Sequence, residues 1–239
     1  MSLVIATATT REMKAVLTGF NGRGRVGCAL PGPGEACPSP VNGRNCLLLV
    51  TGVGPVNAAL SLGRTLGAHR SVRGVLNLGV AGTFDVLRAP LGSAVLASAE
   101  VWPEYGLAGD HGVDPQGIAF PQAEGPTGPV WDRIDLAPEA LFEQWHLAMP
   151  VAARSGVALT VAGVSGTPAR AEAMRHRHAP LMENMEGFSL ALACLRHALP
   201  FAEVRTMSNI VGSRAAEDWA LEGALDALGA LARELFLTD

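Results

Sequence analysis

Residues 46–51 read Cys-Leu-Leu-Leu-Val-Thr, and Gly52-Val-Gly-Pro55 follows at once. A run that is apolar at nearly every position, without alternation, marks a strand covered on both faces. Pro55 stands where a helix takes its first turn, so residues 56–66 read as a helix. Working outward, strand and helix signals alternate in both directions. Leu3 to Thr9 is a buried strand, followed by a helix from Arg11 to Gly19. Val72 to Leu78 and Gly92 to Val101 are further strands. Pro138 to Ser155 is helical in part, broken at Pro150, and Val157 to Ser165 is a strand. Helices at 169–178 and 186–197, a strand at 201–207 and an amphipathic helix at 217–237 complete the chain. This alternation predicts an α/β protein: a single-domain three-layer α/β/α sandwich over residues 1–239, around a central mixed, mostly parallel sheet. The Gly- and Pro-rich stretches 21–44 and 102–137 are expected to be irregular.

Composition excludes several classes. Hydrophobic residues make up 49% of the chain and charged residues 17%, so it can bury a full core and is not disordered. The net charge is −4 and Lys14 is the only lysine, so the basic stripe that nucleic acid requires is missing and no nucleic-acid partner is expected. No stretch approaches the roughly 20 apolar residues of a membrane span, and no signal peptide is read, so a cytoplasmic enzyme without a membrane partner is expected. Cys28, Cys37, Cys46 and Cys194 show no C-x₂-C pairing. They are read as unpaired thiols. His176 and His178 lie two apart, on different helix faces, and no H-E-x-x-H occurs; no metal and no cofactor are implied.

In an open α/β sheet, ligands bind beyond the carboxyl ends of the strands. That rule singles out residues 9–12, 52–54, 79–82, 165–167, 183–186 and 208–209. The glycine segments Gly52-Val-Gly54 and Gly79-Val-Ala-Gly82 match neither the dinucleotide fingerprint nor the phosphate loop, and singly read as strand-to-helix turns. Glu183 and Glu186, three apart at the start of an apolar helix, suit the positive end of a helix dipole equally well.

Together the segments say more. Glu12 after the first strand, Gly-Val-Gly-Pro-x-Asn at 52–57, Asn-Leu-Gly-Val-Ala-Gly at 77–82, Glu-Asn-Met-Glu-Gly at 183–187 and Arg-x-x-Ser-Asn at 205–209 occur in one order. This set resembles the nucleoside phosphorylase/nucleosidase superfamily over nearly the whole chain. Within it, the set is similar to the methylthioadenosine/S-adenosylhomocysteine nucleosidases and, at Met-Glu and Ser-Asn, to the futalosine hydrolases of the alternative menaquinone pathway. The resemblance implies a phosphorylase/hydrolase-like fold, a purine nucleoside as small-molecule partner, hydrolysis of an N-glycosidic bond and a homo-oligomer.

The resemblance also implies roles. Glu12 aligns with the carboxylate that orients and deprotonates water, Glu186 with the residue that holds the ribose hydroxyls, and Met185 with an apolar wall under the sugar. Arg205 is expected to orient a carboxylate. Val80, Ala81, Gly82, Asn184 and Ser208 are expected to contact substrate. Asn209 stands where adenine-specific nucleosidases carry Asp. It offers an NH₂ to a 6-oxo group and a carbonyl to a ring N–H, which suits hypoxanthine. Arg133, Arg214 and His111 are candidates for the carboxylate on the 5′ substituent of futalosine, and Tyr105, Phe84 and Trp219 for ring contacts. A phosphorylase would use arginines near the first strand and a serine in the second glycine loop. Here Val80 takes the serine's place and Arg11 and Arg44 remain as possible phosphate ligands. A nucleosidase for methylthioadenosine, a purine nucleoside phosphorylase and a non-catalytic binding protein are the alternatives.

Overall fold

The structure is a computed structural model and describes residues 2–20, 30–110 and 112–237. In chain order the first elements are β1 (Ser2–Thr7), α1 (Thr10–Gly19), β2 (Glu35–Val41), β3 (Arg44–Val50), α2 (Pro55–Ala68), β4 (Val72–Thr83) and β5 (Ala94–Val101). Two short hairpins follow, β6 (Leu107–Gly109) with β7 (Gly112–Asp114) and β8 (Ala123–Gly125) with β9 (Gly128–Val130). Then come β10 (Arg133–Asp135), α3 (Pro138–Gln144), β11 (Arg154–Thr160), α4 (Pro168–His178), β12 (Met182–Asn184), α5 (Gly187–Arg196), β13 (Phe201–Ile210) and α6 (Leu221–Leu235), the last preceded by a 3₁₀ turn at Ala216–Asp218.

The continuous apolar strands sit where their sequence demands, inside the sheet. β1 runs parallel between β3 and β4, pairing Ile5 with both Leu48 and Leu76. Its side chains alternate: Leu3 and Ile5 pack with Met13, Leu228 and Leu231 of α1 and α6, while Val4 and Ala6 pack with Leu62 of α2 and Leu190 of α5. Helices thus cover both faces of a mixed, mostly parallel sheet. The sheet also curls back on itself. β13 pairs parallel with β4 and antiparallel with β5, and β12 and β11 bridge the same two strands on the other side. β4, β12, β11, β5 and β13 therefore close a ring beside the open part of the sheet.

Several expectations are corrected. Residues 35–41 form a strand despite Pro38 and Pro40, because β2 is an edge strand and prolines two apart keep their missing N–H groups on one side of it. The earlier part of the 21–44 stretch, residues 21–29, lies outside the described residues. Gly79-Val-Ala-Gly82 is not a turn but the second half of β4, held straight by β13 on one side and β12 on the other. The helix expected up to Ser155 ends at Gln144, and Arg154 already pairs with Val95 in the sheet. Within 102–137, Arg133–Asp135 adds a strand to the edge of β5. Cys37 is disulfide-bonded, contrary to the reading of unpaired thiols, while Cys46 and Cys194 are free and buried. Among the described residues, no helix is long and apolar enough to cross a membrane.

Candidate active site

The ends of β1, β4 and β13 and the start of α5 surround a cavity of about 380 Å³. Its polar wall begins with Glu12, which local sequence fixes twice. Thr9 caps α1 and Glu12 is the third residue of that helix, forming a reciprocal capping box. The Glu12 amide donates to Thr9 Oγ1 at 3.1 Å, while Thr9 N and Oγ1 both donate to Glu12 Oε2 at 2.8 Å. The other oxygen, Oε1, accepts from the Val80 amide at 3.0 Å. Both oxygens of a 4% exposed carboxylate are thereby held on backbone, so its position is set by α1 and β4 together.

Gly79 makes room for this arrangement. A Cβ there would stand 2.6 Å from Glu12 Oε1 and 2.7 Å from Arg205 Nη1. Any side chain would crowd both groups, which lie over a bare stretch of strand.

Arg205 is 1% exposed and lies within an acidic frame. Its Nε donates to Glu203 Oε1 at 3.0 Å and its Nη2 to Glu186 Oε2 at 3.2 Å. Burial alone would lower its pKa, but Glu203, Glu186 and Glu12 outweigh burial and raise it, so the guanidinium stays charged. The second oxygen of Glu186 accepts from the Gly54 amide at 3.0 Å. Burial pushes the Glu186 pKa up; Arg205 and the Gly54 amide oppose this, and Glu12 and Glu203 add to it. Behind this frame, burial and then the adjacent Glu203 push the Glu100 pKa well above the ordinary carboxylate range.

Asn184 ties the layers together. Its Nδ2 donates to Glu203 Oε1 at 2.8 Å and Glu100 Oε1 at 3.1 Å, and its Oδ1 accepts from the amides of Glu186 and Gly187 at 3.0 and 2.9 Å. Thr160 Oγ1 accepts from the Phe188 amide and lies 2.8 Å from Glu100 Oε2. Asn184 borders the cavity, and its side-chain amide is committed to this network.

The structure brings together Glu12, Val80, Ala81, Gly82, Met185, Glu186, Arg205, Ser208 and Asn209 around one cavity. Ser208 Oγ lies 2.9 Å from Asn209 Oδ1 and 3.1 Å from the Ala81 carbonyl, and Asn209 Nδ2 makes only a long 3.4 Å contact to Ile210 O. The expected contacts to the 5′ substituent fare differently. Arg133 is on β10, paired with Asp135 and away from the cavity, because that segment joined the sheet edge. Arg214 lies outside the cavity lining but stacks 5.6 Å over the ring of Trp219, which does line it. His111 lies outside the described residues. Phe84 is core, and Tyr105 packs on Trp102. Of the two arginines weighed for phosphate, Arg44 binds the carbonyls of Trp145 and His146 at the far end of β3, and Arg11 lines the cavity paired with Glu222. Sequence reading did not nominate Ala8, Val164, Leu221 or Leu225, which also line the cavity, and it singled out Thr9 and Glu183 by their place at strand ends without giving either a role. For Thr9 the signal was present, since Thr-x-x-Glu is the capping-box pattern.

The chain belongs to the phosphorylase superfamily, whose profile matches residues 5–236. Within it, the chain is similar to the futalosine hydrolase of Thermus thermophilus, at 35% identity over 83% of this chain and 84% of the relative. It is equally similar to the futalosine hydrolase of Streptomyces coelicolor, at 35% identity over 97% of this chain and 95% of the relative. The fold matches the native structure of futalosine hydrolase of Helicobacter pylori with a TM-score of 0.75, at 17% identity over 98% of this chain and 96% of that one.

Proposed function

We propose that this protein is a futalosine hydrolase, which splits futalosine with water into hypoxanthine and dehypoxanthine futalosine in the alternative menaquinone pathway. The observation that carries the reading is the pair Glu12 and Glu186, both buried and both fixed by backbone amides, with Arg205 hydrogen-bonded to Glu186 on the wall that also holds Asn209. In this reading Glu12 aims a water at the anomeric carbon and takes its proton as the new C–O bond forms. Glu186 holds the ribose hydroxyls, and its negative charge favours the cationic ring that develops as the C–N bond breaks. Arg205 orients Glu186. Asn209 donates to the 6-oxo group and accepts from the ring N–H of the departing base. A carboxylate fixed at the nucleophile's position, with Val80 beside it, suits water better than a phosphate dianion.

The enzyme is read as a cytoplasmic homo-oligomer. Supporting the second point, an apolar groove between α2 and α5 leaves Val56 and Leu60 exposed by 70% and 67%.

The test is base release from separately supplied futalosine, aminofutalosine, methylthioadenosine and inosine, followed by chromatography. Hypoxanthine from futalosine in strong preference to the others is the expected result. Adenine released from methylthioadenosine as the favoured reaction would overturn the assignment and leave the fold intact.

A further inference from the structure

The register of the sheet places three residues on one rung: Glu183 on β12 pairs with Gly82 on β4, which pairs with Asn209 on β13. Residues directly opposite across a sheet project to the same face. Glu183 and Asn209 therefore flank a glycine, with Cα atoms about 10 Å apart across two strand spacings. All three line the cavity. Gly82 keeps the floor between them flat, since a Cβ there would come within 2.8 Å of Val211 Cγ2 and 3.1 Å of Asn209 Nδ2. A bare, flat strand with a polar side chain at each edge is a bed for a planar ring.

The chemistry of Glu183 defines what that ring must offer. The residue is 6% exposed, and among the described residues it has no cationic partner. Its Oε1 accepts from the Ser165 amide at 2.9 Å and its Oε2 from Ser165 Oγ at 2.6 Å. A carboxylate has about four acceptor sites, so Ser165 leaves about half of them open. A buried carboxylate without a cation calls for further N–H donors.

We propose that Glu183 is a specificity-determining residue that accepts the six-membered-ring N–H of a 6-oxopurine, while Asn209 reads the oxo group from the other side of Gly82. This rests on reading the cavity as the site of a hypoxanthine nucleoside. Hypoxanthine carries a hydrogen on the ring nitrogen next to its oxo group. Adenine carries a lone pair there, which would face the carboxylate acceptor to acceptor. Matched hydrogen bonds of this kind discriminate strongly because the wrong base leaves buried polar groups unpaired.

Glu183→Gln, which can donate to the adenine nitrogen, should lower the ratio of kcat/KM for futalosine over aminofutalosine by about 10- to 100-fold. If Glu183 only anchored the Ser165 loop, both substrates would suffer alike; an unchanged ratio in a variant that still turns over futalosine overturns the proposal. A second measurement needs no variant. The wild-type protein should bind hypoxanthine at least tenfold more tightly than its N1-methyl derivative, and equal binding would also overturn it. Failure of wild-type protein to release hypoxanthine from futalosine would sink the functional reading instead, and the comparison of the two free bases would still decide what Glu183 does.

Discussion

Replacing Gly79 by Ala adds one methyl group beside both Glu12 and Arg205. The new carbon would lie 2.6 Å from Glu12 Oε1 and 2.7 Å from Arg205 Nη1, against an ordinary contact of 3.4 Å or more, so each group must retreat by about 0.8 and 0.7 Å. Neither can yield freely. Glu12 is held by Thr9 and by the Val80 amide next to the substituted residue, and Arg205 by Glu203 on the same strand. Misplacement of a reacting group by about 1 Å can cost on the order of 100-fold in rate, or about 2.7 kcal/mol of transition-state stabilisation. The expected outcome is therefore a fall in kcat on futalosine of roughly 100-fold, with a loss of stability of about 1–3 kcal/mol from overpacking. Steady-state kinetics below the melting transition separates the two effects. Gly67→Ala on α2, where an added Cβ meets nothing within 4 Å, is the control and should leave kcat unchanged. A Gly79→Ala enzyme with wild-type kcat would refute the reasoning, because it would show that the position of Glu12 is not critical.

Three further outcomes are expected. Glu12→Gln should abolish turnover while calorimetric binding of a substrate analogue persists within a few-fold; near-normal rates would remove Glu12 as the base. Arg205→Met should destabilise the fold by about 3–5 kcal/mol in urea unfolding, because it leaves Glu203 and Glu186 buried without their cation; a loss below about 1 kcal/mol would contradict the buried frame. The folded pKa of Glu100 lies well above its ordinary 4.5, so the folded state keeps a proton that the unfolded chain gives up. Stability should then decline as pH rises from about 4.5 towards the folded value, and Glu100→Gln should flatten that decline. Parallel pH profiles of stability for the two proteins would argue against a protonated Glu100.

Much of this molecule is written locally. Apolar strands such as Cys46–Thr51 announce a covered sheet, and the helices around them follow from capping and periodicity. Glu12 is legible twice, by its place after β1 and by the Thr9 capping box that holds it. What escapes local reading depends on partners far away in sequence. Gly79–Gly82 has the composition of a turn, and it stays extended only because β12 and β13 pair with it. Nothing in Glu-Asn-Met-Glu-Gly foretells that Glu100 and Glu203 occupy the side-chain amide of Asn184. Those two acids did leave a trace, each a charge set in an apolar run, Glu100 at Ser-Ala-Glu-Val and Glu203 at Phe-Ala-Glu-Val with Arg205 two residues beyond it. A buried charge in such a run calls for a partner on a neighbouring strand. Arg133 carries no such trace, since nothing in its neighbourhood foretells that β10 joins the edge of β5.

The most direct test of the central claim is the rate of hypoxanthine formation from futalosine by the purified protein in phosphate-free buffer, repeated with phosphate added. Sustained, multiple-turnover release without phosphate and no acceleration when phosphate is supplied are expected. Release that begins only on adding phosphate, with a ribosyl phosphate as co-product, would contradict it by making phosphate, not a Glu12-held water, the nucleophile.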